Sequence, residues 1–191
     1  MKSCVKDALM ARGCKKGDSI RTTGHSLGAA INSLAMMDLT NQGSVIEESY
    51  DFGQPRTGDA AFAAKHNELF FDKFWRVTHT MDPVVHLPPT NFLGLNWHFT
   101  HVEPESFYKG HVSAGHRECT VAEDYRCAGF YWNVPLDGLF LNDHLTYMDV
   151  DTSFFGCSGA FMHNTMVGNE TIITAANVSA MGVESARGVV V

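Results

Sequence analysis

From residue 5 to residue 78 the chain alternates short apolar runs with stretches of helical period. Val5 to Arg12 (VKDALMAR) predicts a helix, and Gly13 to Asp18 ends it with glycine and charge. Ser19 to Thr23 (SIRTT) predicts a short strand that runs straight into Gly24. Ser26 to Leu39 predicts a helix with Ala29, Ala30, Leu34, Ala35 and Met36 available for one packed face. Ile46 to Phe52 predicts a strand stopped by Gly53 and Pro55. Asp59 to Leu69 predicts a helix whose leading acid suits the helix dipole, and Phe74 to Thr78 a further strand. After a Pro-rich loop over Thr80 to Thr90, the segments Asn96 to Glu103 and Phe107 to Lys109 predict a hairpin. Strands alternating with helices imply a mostly parallel α/β sheet. Leu34, Met36, Met37, Phe70, Phe71, Phe74 and Trp75 are expected to pack in its core. Ser158 to Val191, rich in Gly, Ala, Ser and Thr with little period, is expected to be a poorly ordered tail.

Composition narrows the function classes. The 191 residues are 45% hydrophobic and 18% charged, which suits one globular domain with a real core. Net charge is −7 without long Lys/Arg runs, which disfavours nucleic-acid binding through phosphates. No apolar run approaches the roughly 18 residues of a membrane span; Phe154 to Met162 is short and broken by Gly and Ser. No signal peptide is expected within Met1 to Asp18. Five cysteines, an odd count, leave at least one without a partner in this chain, and the sequons at Asn169 and Asn177 are weak signs of secretion. Neither an H-x-x-x-H nor a C-x-x-C pair occurs, and no phosphate loop or dinucleotide fingerprint. No metal, cofactor or obligate protein partner is expected.

Gly24-His25-Ser26-Leu27-Gly28 is a G-x-S-x-G at a strand-to-helix junction. Such a serine sits on a tight, strained turn that lifts its hydroxyl above the sheet. Glycines two before and two after keep strand and helix backbones free of Cβ clashes. The Leu27 amide and the helix N-terminus then face a developing oxyanion. Chance matches to so short a pattern are common; the strand before it and the helix with Ala29 and Ala30 behind it raise its weight. Serine needs a base to take its proton, and in this arrangement the order is Ser, acid, His. Of ten histidines, His25 diverges from the serine at the turn, His66 lies in a predicted helix and His163 in the tail. His79, His86, His98, His101, His111 and His116 remain within reach. His144 fits best, late in the chain, with Asn142 or Asp143 to cap a short helix. Asp82 follows a strand and precedes Pro83, although a turn residue before Pro is its commoner role. Asp143 and Asp149 compete with it, Asp143 more readily as a cap.

Four ordered segments resemble the fungal-type class 3 lipases, a family of triacylglycerol lipases and feruloyl esterases. They are Thr23 to Ala30, then Phe52 to Asp59 with Phe62-Ala63, then Val77 to Pro89, and last Asp143 to Tyr147. The resemblance implies Ser26 as nucleophile, Asp82 as acid and His144 as base. It also implies the Leu27 amide as the second oxyanion donor, and His101-Val102-Glu103 with Phe107-Tyr108 as a hairpin beside the site. Some members carry Ile or Val where Pro83 stands. Phe92, Leu93, Leu95 and Trp97 are candidates for an acyl groove, against simple loop packing. Cys119 and Cys127 match a loop disulfide of the family; Cys157 matches a cysteine that pairs near the family's N-terminus. Cys4 and Cys14 are candidates for pairing with each other, against the helix predicted between them. For all five, reduced buried thiols are the plain alternative.

The nucleophile stands at residue 26, whereas in the family it lies near mid-chain. The expectation is an α/β-hydrolase fold, incomplete, with 1–157 the C-terminal part of a lipase domain and 158–191 a tail. Earlier strands, the lid and the first oxyanion residue are expected to be missing, with an unpaired edge on Ser19 to Thr23 and a weakly active, aggregation-prone chain. The implied function is a secreted carboxylic ester hydrolase acting on a lipid or ester at an interface. A feruloyl or short-chain esterase and a non-catalytic remnant are the alternatives.

Overall fold

A computed structural model describes residues 2–93, 95–131, 141–153 and 188–190. Six strands form one sheet: β1 (Ser19–His25), β2 (Val45–Phe52), β3 (Phe74–His79), β4 (Glu105–Tyr108), β5 (His116–Cys119) and β6 (Gly188–Val190). Their spatial order is β6-β1-β2-β3-β4-β5. All neighbours are parallel except the last pair, β4 and β5. Helices α1 (Lys2–Ala11), α2 (Leu27–Asn41) and α3 (Ala60–Phe70) precede or link the first strands, as the alternation of patterns predicts, and α4 (Leu141–His144) is a single turn.

Local chemistry sets these bounds. Asp59 caps α3, its carboxylate accepting the Phe62 amide at 2.9 Å. Ala63, His66 and Phe70 form the buried stripe of that helix. Along β3 all residues but Trp75 are buried, the mark of an inner parallel strand covered on both faces. Leu9, Ile20, Met36, Leu39, Ile46, Phe70 and Phe74 build the main core.

Three expectations differ from the structure. Leu34 and Phe71 are exposed: α2 buries the face that carries Asn32 and Ser33 rather than Leu34, and Phe71 stands at the C-terminal end of α3. Asn32 bonds Ser49 and Asp51, at 3.0 and 2.7 Å, so a polar cluster lies beside the buried Ala29, Ala30, Met36 and Leu39. Residues 96–109 do not make a hairpin: Phe99–Thr100 pairs with Gly58–Asp59, while β4 pairs with β3 and β5. The cause is Glu105, which lies inside the molecule against Arg76 and fixes β4 as an inner strand. Finally, the edge of β1 is occupied over Arg21–Thr23 by Gly188–Val190. Residues 154–187 and 191, which include Cys157, His163, both sequons and the rest of the expected tail, lie outside the described residues. Cys119 and Cys127 form a disulfide, and Cys14 carries a free thiol.

The buried His66 and His101 and the half-buried His86 make the fold sensitive to acid. Burial pushes His66 and His86 down to about 4 and holds His101 well below the usual histidine range. Each folds as the neutral base, whereas the unfolded chain protonates each near 6.5. Stability present above that pH is therefore lost as pH falls toward 4. Asp51 acts in the opposite sense. Desolvation raises it to about 8, against a hydrogen bond from Asn32, so its contribution is full below the usual carboxylate range and lost as pH rises through about 8. The lowered histidines outnumber Asp51, so unfolding takes up protons and the chain loses stability as pH falls from 7 toward 4. Urea titrations of the chain across this range are expected to show the loss, and His66→Phe to make it smaller.

Candidate active site

The turn between β1 and α2 carries Ser26 at φ 58° and ψ −128°, a conformation that few non-glycine residues adopt. Its amide donates to the Phe52 carbonyl at 2.9 Å, anchoring the turn on β2. A Cβ on Gly24 would fall 2.5 Å from the Gly28 carbonyl and 2.6 Å from Ala29 Cα, so only glycine lets α2 turn back so tightly. Leu27 opens α2, with its side chain exposed and its amide at the positive helix end.

Asp82 lies in the loop after β3, fully buried. Its Oδ1 accepts the Val84 amide at 2.8 Å. Its Oδ2 faces His144 Nδ1 at 2.8 Å and accepts the Tyr147 hydroxyl at 2.6 Å. His144 Nε2 lies 2.8 Å from Ser26 Oγ. A carboxylate only accepts, so Nδ1 carries the proton and Nε2 presents its lone pair to the serine hydroxyl. Burial and the neighbouring Asp82 hold the Tyr147 phenol well above its usual range, so it remains a donor.

Two clamps position the acid's loop. Arg56 grips Glu123 with two 2.7 Å bonds and donates to the carbonyls of His86 and Pro88. Asp143 accepts the Met81 amide at 3.0 Å, tying α4 to the loop that carries Asp82. Asp149 instead bonds His111 and the Val112 amide. Among the described histidines only His144 bonds Ser26 Oγ. His79 stacks on Tyr108 at 4.5 Å, and His116 pairs with Glu118.

Leu93 and Trp97 are surface residues, 86% and 44% exposed. Phe92 and Leu95 belong to the short antiparallel pair Asn91–Phe92 and Leu95–Asn96, and their side chains lie outside the described residues. Sequence reasoning gave Gly53 only as a strand stop and Asp143 as a helix cap or rival acid, and assigned no part to Tyr147. Tyr147 had a signal, a phenol three residues after the histidine, but its partner is distant in sequence.

Gly53 adopts φ +59°, and a Cβ there would meet Asp82 Oδ2 at 2.9 Å and the His144 ring at 3.1 Å. Gly53→Ala is expected to slow the reaction of Ser26 with a fluorophosphonate by about 10–100-fold, through displacement of the acid–base pair. Stopped labelling time courses of the folded variant measure this; an unchanged rate would show that the pair tolerates the displacement.

Comparison with known proteins follows the same lines. The family model for class 3 lipases matches residues 1–92. A secreted mono- and diacylglycerol lipase A from Penicillium cyclopium is 43% identical over 82 residues, 43% of this chain and 25% of the relative. A secreted mono- and diacylglycerol lipase from Fusarium solani is 34% identical over 128 residues, 65% of this chain and 36% of the relative. Among solved structures, lipase II from Rhizopus niveus superposes with a TM-score of 0.58 at 32% identity, covering 77% of this chain and 52% of its own. The chain thus spans between a quarter and about half of the relatives it matches. With its parallel sheet, its G-x-S-x-G turn and these matches, the chain is similar to the class 3 lipases and has part of their α/β-hydrolase fold.

Proposed function

We propose that the protein is a serine carboxylic ester hydrolase that cleaves acylglycerols through an acyl-enzyme. The supporting observation is the continuous line from Ser26 Oγ to His144 Nε2 and from His144 Nδ1 to Asp82 Oδ2, two contacts of 2.8 Å each. Ser26 Oγ attacks the ester carbonyl while His144 Nε2 takes its proton. Charge collects on the carbonyl oxygen, where the Leu27 amide at the start of α2 donates to it. The imidazolium, steadied by Asp82, then protonates the departing alcohol. Water, activated by the same imidazole, attacks the acyl-enzyme and releases the fatty acid. Phe92, Leu93, Leu95 and Trp97 line the acyl side of this site in the proposal. Relatives named as secreted support an extracellular location. Residues 1–157 form the catalytic unit in this proposal, and the rest is a tail.

The test is hydrolysis of a graded series of esters, from short acyl chains through mono- and diacylglycerols to feruloyl esters. Preference for acylglycerols is expected. A preference for feruloyl or short esters moves the substrate class while keeping the chemistry, and no turnover by folded protein overturns the enzyme reading.

A further inference from the structure

His25 ends β1 one residue before Ser26, and its ring swings away from the serine but not into solvent. Its Nε2 lies 2.8 Å from the carbonyl oxygen of His144 and 3.4 Å from Thr152 Oγ1. A carbonyl only accepts, so this nitrogen carries the proton and donates. The ring stacks on the His144 ring with centroids 4.7 Å apart and planes at 29°. Tyr147 meets it edge-on at 5.6 Å. One side chain therefore touches His144 twice, at its main chain and at its ring. Burial lowers His25 below the usual histidine range, and the adjacent His144 lowers it further, against the hydrogen bond to that carbonyl.

The short helix that presents His144 needs such a hold. α4 has four residues, too few for a helix to persist without outside support. The His144 carbonyl stands at its end, where no helical amide follows to satisfy it. Other bonds fix this segment to the acid's side: Asp143 to the Met81 amide, and His79 to the carbonyls of Asp143 and Thr146. Among the described residues, His25 and Ser26 are the ones that bond this segment to the nucleophile's turn.

We infer that His25 is a positioning residue: it ties the turn bearing the nucleophile to the segment bearing the base, and so sets the reach from His144 Nε2 to Ser26 Oγ. The inference rests on the triad proposed above, with His144 as base. A neutral ring is required in this place, since a second imidazolium stacked on His144 would oppose the charge that forms there during attack.

The experiment compares wild type, His25→Phe and His25→Gln. Phenylalanine keeps a ring to stack but has no donor. Glutamine has a donor long enough to reach the same carbonyl. The limiting rate of fluorophosphonate labelling is expected to fall about 10–100-fold in His25→Phe, with half-saturation by the reagent unchanged, and to recover to within several-fold of wild type in His25→Gln. The second readout needs no reaction: the strongly downfield NMR signal of the His144 Nδ1 proton, identified by its loss in Asp82→Asn. It is expected to shift or broaden in His25→Phe and to return in His25→Gln. If His25→Phe does not fold, His25→Met, also without a donor, takes its place. A wild-type rate and an unmoved signal in the donor-less variant overturn the inference, as does a glutamine variant no better than phenylalanine in both readouts. Should wild type resist labelling while the signal still moves in His25→Phe, the positioning role stands and the nucleophile assignment falls.

Discussion

Ser26→Ala is expected to abolish covalent labelling by a fluorophosphonate and to lower ester hydrolysis by about 10⁴–10⁶-fold. The change removes one oxygen. It leaves the turn's amide bond to Phe52 and the His144–Asp82 contact in place, so the fold is expected to survive. What disappears is the only hydroxyl within 2.8 Å of the His144 lone pair among the described residues. Without it, the imidazole has no proton to accept and no nucleophile to activate, and the remaining rate comes from binding and the oxyanion donor alone. Mass spectrometry of labelled peptides reads the outcome directly. An adduct that persists in a folded Ser26→Ala protein would place the reactive group elsewhere and remove the triad from the mechanism.

Glu105→Gln is expected to cost about 3–5 kcal/mol of stability. Arg76 and Glu105 are 1% and 2% exposed and bond at 2.9 Å across the β3–β4 ladder. The same carboxylate accepts Thr78 Oγ1 at 2.6 Å and the Ala128 amide at 3.1 Å. Arg76 also reaches the Val102 carbonyl at 3.3 Å. Removing the negative charge strands a guanidinium in the interior and turns an amide N–H group toward one of the donors that the carboxylate accepts from. Against a total of about 5–15 kcal/mol for a domain, a loss of this size is a large share of the stability. Replacing both partners, in Arg76→Met with Glu105→Leu, is expected to recover most of the loss, because the cost lies in the unpaired charge rather than in the pair's own attraction. Urea unfolding of the single and double variants separates the two. A single variant as stable as wild type would mean that water reaches Arg76.

The elements that could be read from the sequence are those set by neighbours along the chain. The strand–glycine–helix order around Ser26, the helix start at Asp59 and the strand over 74–78 all depend on local pattern, and all appear where expected. The meeting of Ser26, Asp82 and His144 came from motif resemblance, since no local signal places residues 62 and 118 positions apart in contact. Distant polar pairing is where the pattern fails. Asn32 and Ser33 look like an exposed side of α2 until Ser49 and Asp51 are brought beside them. Glu105 falls between the two arms of the expected hairpin, because its charge has no visible partner until Arg76 arrives from the neighbouring strand. Gly53 reads as a strand stop, and its value as clearance for the Asp82–His144 pair exists only in three dimensions.

The bond between Ser26 and His144 closes a loop of 118 residues. Closing so long a loop carries an entropic penalty that grows with its length, so a partly folded chain does not hold the two groups together by chance. Under the proposed chemistry, covalent modification of Ser26 therefore counts native molecules. In a heated or crowded sample at neutral pH, the labelled fraction is then a census of the folded population, read on a gel without purifying the protein and without a spectroscopic signal of its own.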